Sequence, residues 1–173
     1  ETRSDHDEEM PSDPVQTTGL KQYKEIKWEC LANGGANEVQ LSRIKFYGDL
    51  STQKAYQLHN ISNPNGRSPY NEGAENLGRD RGKWLDFNIN RNGASIILFS
   101  LSEPVNLQGY ELFTANDFPE RDPRSWNVYA RVSCKAEWEL LDSRPIVNSP
   151  FGRHTSYGIM EFNYGTFEEE KRE

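Results

Sequence analysis

The sequence contains few of the residues from which metal sites and thiol chemistry are built. It has two cysteines and three histidines in 173 residues. No CxxC pair and no cysteine–histidine group with metal-ligand spacing occurs, so a zinc site is not predicted. A P-loop, a GxSxG elbow and an HExxH motif are also missing, and His59 and His154 have no patterned Ser, Cys or Asp companion. We therefore predict that the protein is not an enzyme.

The chain also lacks long apolar runs and an excess of positive charge. No apolar stretch approaches the ~18 residues of a membrane-spanning helix, so no transmembrane segment is predicted. The net charge of −7 comes from the two ends. Residues 1–20 hold six acidic groups and one arginine, and residues 168–173 hold four acidic and two basic groups, whereas residues 21–167 hold 17 of each sign. This balance does not favour nucleic acid as a partner.

These charges divide the chain into three parts. Residues 1–20 are acidic, polar and interrupted by Pro11 and Pro14, so we expect a leader that cannot bury enough apolar surface to order itself. Residues 21–167 have the length of one domain with its own core. Residues 168–173 form a charged tail that follows the aromatic residues Phe162, Tyr164 and Phe167.

Period-two hydrophobic alternation runs through the central part. Residues 23–31 place Ile26, Trp28 and Cys30 on one face, which is typical of a strand with one buried side. A glycine-rich turn at 33–37 leads to a second extended segment at 39–47, so we expect a β-hairpin. Further strands are predicted at 83–88, 94–101, 110–114, 126–132, 138–141 and 158–164. About eight antiparallel strands without a convincing helix pattern predict an all-β sandwich.

The segment from Tyr110 to Trp126 is predicted to be a rigid corner between two strands. It contains the turn sequence Asn-Asp-Phe-Pro and then Glu-Arg-Asp-Pro. Since arginine can bind carboxylates bidentately, we expect Arg121 to neutralise Asp117 and Asp122 and thereby lock the connection. A neighbouring arginine lowers a carboxyl pKa, so this pattern favours a structural role over acid–base chemistry.

The same segment carries a resemblance to a known family. The pattern TAND-x-P-x-RDP-x-x-W, the stretch KWLDF at 83–87, and VQLS at 39–42 followed by Ile44 and Phe46-Tyr47 occur in that order. Together they resemble a discoidin-like (coagulation factor 5/8 type C-like) galactose-binding-fold domain. The resemblance implies a jelly-roll β-sandwich that covers most of the chain, from about Tyr23 to Asp142.

The resemblance further implies a binding module whose loops at one end recognise a carbohydrate or a protein surface. Those loops are residues 63–82, the corner at 115–123 and the segment 151–157. Within them the candidate ligand-binding residues combine aromatic faces with planar polar groups; they are Tyr70, Asn71, Asn116, Phe118 and Arg121. An Asx-type turn is the alternative role for Asn116. Trp84, Trp126 and Trp138 are predicted to lie in the core.

Three questions stay open at this level. Domains of this type often hold calcium before the KWLDF-like strand, where Asp80 would be a ligand. A pairing of Cys30 with Cys134 and two separate thiols are equally compatible with the sequence, because the compartment is unknown. The alternative function is that of a structural or accessory subunit, which docks into a larger assembly through its tails and sandwich surface.

Overall fold

A computed structural model describes residues 21–164 of the chain. The acidic leader, the charged tail and Phe167 lie outside the described residues. Between 21 and 164 there are ten strands: β1 Tyr23–Asn33, β2 Val39–Leu41, β3 Arg43–Tyr47, β4 His59–Ser62, β5 Trp84–Asp86, β6 Ser95–Val105, β7 Gly109–Phe113, β8 Pro123–Arg131, β9 Glu139–Arg144 and β10 Ser156–Glu161. A one-turn helix, α1, spans Ile89–Asn92, and 3₁₀ turns span Ala74–Gly78 and Pro119–Arg121.

The strands form antiparallel sheets around one apolar core. A five-stranded sheet has the order β4-β6-β1-β8-β9, a three-stranded sheet has the order β10-β7-β3, and β2 pairs with β5. Strands make up 44% of the structure and helices 8%, which confirms the all-β class. Among the described residues no helix is long and apolar enough to cross a membrane.

Strand β1 lies at the centre of the largest sheet, and its sequence pattern explains why. Ile26, Trp28 and Cys30 are fully buried, as the alternation predicts. Tyr23 is buried as well, because the β1–β6 register shifts between Tyr23 and Glu25 and turns this ring toward the core. The indole of Trp28 lies 5.9 Å from that of Trp84 and 6.4 Å from that of Trp126, so three tryptophans from three strands form the centre of the core.

The predicted hairpin between residues 23–31 and 39–47 is wrong. Strand β1 pairs with β6 and β8, whereas β2 pairs with β5 and β3 pairs with β7. The chain does turn at the glycines after β1, but it continues into a different sheet, in which β2 pairs with β5. A turn signal is local, whereas the choice of a strand's partner depends on which apolar faces meet in three dimensions.

The two cysteines are free thiols, Cys30 buried and Cys134 exposed. In the antiparallel β1–β8 pair Cys30 lies opposite Trp126, near the start of β8, while Cys134 follows the far end of that strand. The two residues therefore lie at opposite ends of one ladder, which excludes a disulfide in this fold.

The prediction that all three tryptophans of the later strands belong to the core holds for two of them. Trp84 and Trp126 are fully buried. Trp138 is half-buried outside the core cluster, where Lys27 and Arg131 lie over its ring at 4.9 and 4.1 Å from the centroid. It precedes β9, an edge strand, so one side of its ring stays open to solvent.

The end of the described chain packs on the domain itself. Strand β10 pairs with β7, and Phe162 is buried with its ring 5.2 Å from that of Tyr110. Tyr164 donates its hydroxyl hydrogen to the carbonyl of Leu107. The aromatic residues that precede the charged tail are thus docked on their own sandwich, as far as Tyr164.

A buried polar relay joins β7, β8 and β9. Trp126 Nε1 donates to the Tyr110 hydroxyl at 2.7 Å, and that hydroxyl donates to Asp142 Oδ2 at 2.6 Å. Arg144 Nε donates to the same carboxylate oxygen at 2.9 Å. Burial, followed by the nearby Asp142 charge, raises the pKa of Tyr110 strongly, so the phenol stays protonated and acts as the donor.

Tyr110→Phe is expected to lower the free energy of unfolding by about 2 kcal/mol, because the Trp126 N–H and Asp142 each lose a partner in a buried site. Urea unfolding followed by tryptophan fluorescence measures the change. Tyr129→Phe is the matched control, since the Tyr129 hydroxyl is only partly buried and accepts a long 3.4 Å hydrogen bond from Asn127. An equal loss in both variants would contradict a special role for the relay.

Candidate functional site

The three predicted loops meet at one end of the sandwich. Arg43 begins β3 and pairs with Phe113, the last residue of β7, so the start of β3 and the end of β7 lie at the same end of the sheet. Beyond Phe113, Thr114 and Ala115 are fully buried and hydrogen-bond to the loop before β10: Thr114 N–H donates to Thr155 O at 2.9 Å, and His154 N–H donates to Ala115 O at 3.1 Å. The segment 151–157 is thereby tied to the corner.

Lys83 joins the loop of residues 63–82 to the corner at this end of the sandwich. This residue is 9% exposed, and its Nζ lies 2.9 Å from Gln40 Oε1, 2.9 Å from Asp117 Oδ1 and 3.6 Å from Glu72 Oε1. Gln40 is fully buried in β2 and donates to the Asp117 carbonyl at 2.7 Å. A single ammonium group therefore joins the loop 63–82, strand β2 and the corner.

The loop that leads to Lys83 is shaped by a buried asparagine. Asn76 Nδ2 donates to the carbonyl of Asn71 at 2.7 Å and to that of Lys83 at 2.8 Å. Gly82 has a φ of +74°, and a Cβ there would approach Asn76 Nδ2 to 3.1 Å. The loop therefore requires glycine at position 82 and an amide at position 76 to present Asn71 and Glu72 to solvent.

A cleft lies where the three loops meet, with a volume of about 280 Å³. We call it the loop cleft; it is lined by Asn71, Glu72, Gly82, Lys83, Asn116 and His154. Asn71 and Glu72 come from the first loop, Asn116 from the corner, and His154 from the third loop. The three loops that the resemblance implies each contribute to this lining, whereas Lys83, Glu72 and His154 were not among the predicted ligand residues.

Three residues around this end have left-handed backbone conformations although none is glycine. Asn71 has φ 63°, Phe118 φ 38° and His154 φ 50°. Such conformations cost free energy, and they persist where the surrounding structure imposes them. Here the hydrogen bonds from Asn76 and to Ala115 hold the loops of Asn71 and His154 in place. This strain is a signal that sequence inspection could not provide.

The structure corrects the predicted role of Arg121 in the corner. Asp122 is fully buried and binds Arg153 bidentately, with Nη1–Oδ1 at 2.9 Å and Nη2–Oδ2 at 2.6 Å. Asp117 pairs with Lys83, while Arg121 Nε donates to Glu38 Oε2 at 3.3 Å. The guanidinium of Arg121 also lies over the Phe118 ring, 4.1 Å from its centroid. A corner does join β7 to β8, but its carboxylates take their partners from distant segments.

The electrostatics of the corner follow from these contacts. Burial by itself would raise the pKa of Asp117, but the hydrogen bonds from Lys83 and Gln40, together with the Lys83 and Arg121 charges, hold that pKa below its usual range. The hydrogen bonds to Asp122 raise the pKa of Arg153. Both carboxylates are therefore paired with basic side chains and belong to the scaffold.

The other predicted ligand residues differ in exposure. Tyr70 is 92% exposed and Phe118 is 49% exposed, so both aromatic rings face solvent. Asn71 and Asn116 are exposed and line the loop cleft. Arg121 lies apart from the lining of the cleft, in its pair with Glu38. Phe151, which begins the third loop, is also fully exposed.

The surroundings of Asp80 do not fit calcium. Its carboxylate is 90% exposed and forms an ion pair with Arg43, and Lys45 and Arg79 line the same pocket. Calcium takes six to eight oxygen ligands, several of them carboxylates. Within residues 21–164 no group of three or more His, Cys, Asp or Glu could hold a metal ion. We derive no role for calcium from Asp80.

No family model, curated protein sequence or solved structure matches the chain.

Proposed function

We propose that this chain is a discoidin-like, jelly-roll β-sandwich that acts as a non-catalytic binding module and recognises a carbohydrate through the loop cleft. The fold part of the proposal is supported by the all-β antiparallel architecture and by the three motif-like stretches. KWLDF contributes β5, VQLS contributes β2, and the TAND-x-P-x-RDP segment contributes the corner between β7 and β8.

The convergence of the three loops carries the functional proposal. Residues far apart in sequence, Asn71, Asn116 and His154, line one cleft on a rigid support. Amide, carboxylate, ammonium and imidazole groups together supply hydrogen-bond donors and acceptors, which sugar hydroxyl groups require. Tyr70 precedes the lining residue Asn71, and Phe118 follows Asp117, which pairs with Lys83. Both rings are exposed and offer flat apolar surface on which sugars pack, although Arg121 lies over one face of Phe118.

The state of the carboxylates supports binding rather than catalysis. A general acid needs a carboxyl group that is protonated near the working pH. The pKa of Asp117 is held below its usual range, and Asp122 is buried in a bidentate pair with Arg153. Asp117 is therefore not suited to act as a general acid, and both Asp122 oxygens are occupied by Arg153.

Tyr70→Ala and Asn116→Ala are each expected to weaken binding of an oligosaccharide by about fivefold to tenfold, because each removes about 1–1.5 kcal/mol of contact. Neither side chain is buried or holds the fold, so the melting temperature is expected to stay within about 1 °C. Retention of the full chain on a glycan array identifies the sugar, and titration calorimetry measures the affinities.

Asn90→Ala is the control, since Asn90 is exposed and does not line the cleft. If Asn90→Ala loses as much affinity as Tyr70→Ala and Asn116→Ala, the loop cleft is not the binding site. If no glycan on the array retains the protein, carbohydrate recognition itself is wrong.

A second candidate function, that of an accessory subunit of a larger assembly, is favoured by one edge of the five-stranded sheet. Leu140, in edge strand β9, is 39% exposed, and Ile146 shortly after it is 84% exposed. Exposed apolar groups on an edge strand are suited to a protein partner. Gel filtration of gently lysed source material separates the candidates: elution near the mass of the chain, 19.9 kDa, favours a free module, and co-elution with a large complex favours the subunit.

A further inference from the structure

A second pocket lies directly beside the loop cleft and shares Gly82 and His154 with it. We call it the basic pocket; its volume is about 190 Å³, and it is lined by Ser42, Arg43, Lys45, Arg79, Asp80, Gly82, Phe113 and His154. This volume and the 280 Å³ of the loop cleft are each below the ~300 Å³ at which pockets begin to accept whole small molecules, so a ligand of that size would use both. The basic pocket is thus suited to one functional group of a ligand whose remainder lies in the loop cleft.

Positive charge is concentrated in this pocket. Arg43, Lys45 and Arg79 line it, and Asp80 is the acidic residue among its lining. Residues 21–167 carry equal numbers of acidic and basic residues, so this local excess is produced by the fold. Glu75 lies 3.8 Å from Arg79, but both side chains are more than half exposed, so their attraction is weak. Glu111, opposite Lys45 in the β3–β7 ladder, is hydrogen-bonded to Tyr47 and Ser156.

Arg43 is held as the rigid part of the pocket. It begins β3, its side chain is 21% exposed, and burial lowers its pKa from the ordinary value. Asp80 pairs with its Nη1, but the Asp80 side chain is 90% exposed, so solvent weakens this attraction. Arg43 Nε and Nη1 are buried and neither makes a hydrogen bond among the described residues, so the contact of Nη1 with Asp80 is an ion pair without hydrogen-bond geometry. The guanidinium therefore retains unused donor capacity, which is costly in a buried position.

We propose that the basic pocket is an anion subsite, which binds the carboxylate or sulfate group of an acidic glycan while the neutral part of the same glycan occupies the loop cleft. This inference rests on the proposed carbohydrate-binding function. Guanidinium groups match the planar or tetrahedral oxygens of such anions through paired hydrogen bonds. The shared residues Gly82 and His154 make the two pockets continuous, so one oligosaccharide can reach both.

The test measures binding of the full chain to immobilised oligosaccharides, each present in neutral, sulfated and uronate-bearing forms. At low salt the acidic forms are expected to bind about tenfold more tightly than the neutral forms, and the preference is expected to shrink as salt is raised. Arg79→Gln and Lys45→Gln are each expected to reduce the preference by about twofold to fivefold while binding of the neutral forms is retained. Arg91→Gln is the matched control, since Arg91 is exposed and lies outside both pockets.

Asp80→Asn is expected to strengthen binding of the acidic forms, whereas Arg79→Gln and Lys45→Gln weaken it. Removal of this carboxylate frees Arg43 for the ligand, so the acidic forms are expected to bind about twofold to threefold more tightly. A loss of binding in this variant would overturn the proposal, because it would make Asp80 itself a ligand.

The remaining outcomes separate this inference from the proposed function. Equal binding of neutral and acidic forms overturns the anion subsite but leaves carbohydrate recognition intact. Binding of no oligosaccharide removes both. A hexaglutamate peptide or inorganic sulfate that competes as well as the acidic glycans do would show that the pocket binds anions without reference to sugar, and this also overturns the assignment.

Discussion

Replacement of Arg153 by methionine is expected to lower the free energy of unfolding by about 3–5 kcal/mol, the usual cost of leaving one partner of a buried ion pair alone. Asp122 is fully buried, and both of its carboxylate oxygens accept hydrogen bonds from Arg153. The variant leaves that charge in the core without a donor from Arg153. Urea unfolding at neutral pH, followed by tryptophan fluorescence, measures the change.

Arg121→Met is the matched control for this prediction. Arg121 lies in the corner itself, but it contacts Glu38 at 3.3 Å in a pair whose side chains are each more than a fifth exposed. Its loss is expected to cost about 1 kcal/mol or less. A double variant, Arg153→Met with Asp122→Asn, is expected to recover part of the loss, because it removes the buried charge. A larger loss for Arg121→Met than for Arg153→Met would restore Arg121 as the centre of the corner.

Lys83→Met is expected to lower the free energy of unfolding by about 2–4 kcal/mol. The variant deprives the fully buried Gln40 side-chain oxygen of its donor, and it leaves the Asp117 carboxylate without its nearest positive charge. Because Lys83 also joins the three loops, binding to the loop cleft is expected to weaken together with stability. Lys21→Met, which removes an exposed pair with Glu139, is the control and is expected to change stability by less than about 0.5 kcal/mol.

The pH dependence of this variant gives a second readout. In the native protein the folded-state pKa of Asp117 is below the ordinary value of 3.8, so Asp117 contributes stability above about pH 3.8 that is lost as the pH falls through the folded-state pKa. Without Lys83, the hydrogen bond and the charge that it contributes are lost and only Gln40 and Arg121 still lower this pKa, so the folded-state pKa rises and the contribution shrinks. The difference in unfolding free energy between native protein and variant is therefore expected to be larger at pH 7 than at pH 3. A difference independent of pH would show that Lys83 acts through packing alone.

The elements with a regular hydrophobic period were predictable from the sequence. Alternation placed Ile26, Trp28 and Cys30 in the core from β1, and it did the same for Trp126, Val128 and Ala130 from β8. The apolar run at 94–101 predicted β6, although that strand continues to Val105. Such patterns can be recognised in a sequence because successive side chains point to opposite faces of a strand, independently of which strand pairs with it.

The short strands and the tertiary partners were not predictable in the same way. Strands β2 and β5 lie within the predicted segments 39–47 and 83–88, but with three residues each they are too short for a period to set their bounds. Strand β4 was not predicted, because it lies within a region rich in turn residues. The fully buried Gln40 breaks the expected pattern of β2, because its amide is satisfied by Lys83 and Asp117 from other segments. Trp138 was assigned to the core because its size favours burial, but it precedes an edge strand.

The sequence by itself determined the all-β class and the corner between two strands, since both depend on local period, turn residues and order along the chain. That the loops 63–82, 115–123 and 151–157 lie together was implied only by the family resemblance. The tertiary structure alone decided which charges meet. Arg153 lies 31 residues from Asp122, and Lys83 lies 34 residues from Asp117, so these pairs depend on how the loops pack over the end of the sandwich. The same packing places Arg43, Lys45 and Arg79 in one pocket beside the loop cleft. Ion pairs and pockets depend on which residues lie close together in the folded chain, and a single sequence does not show these distances directly.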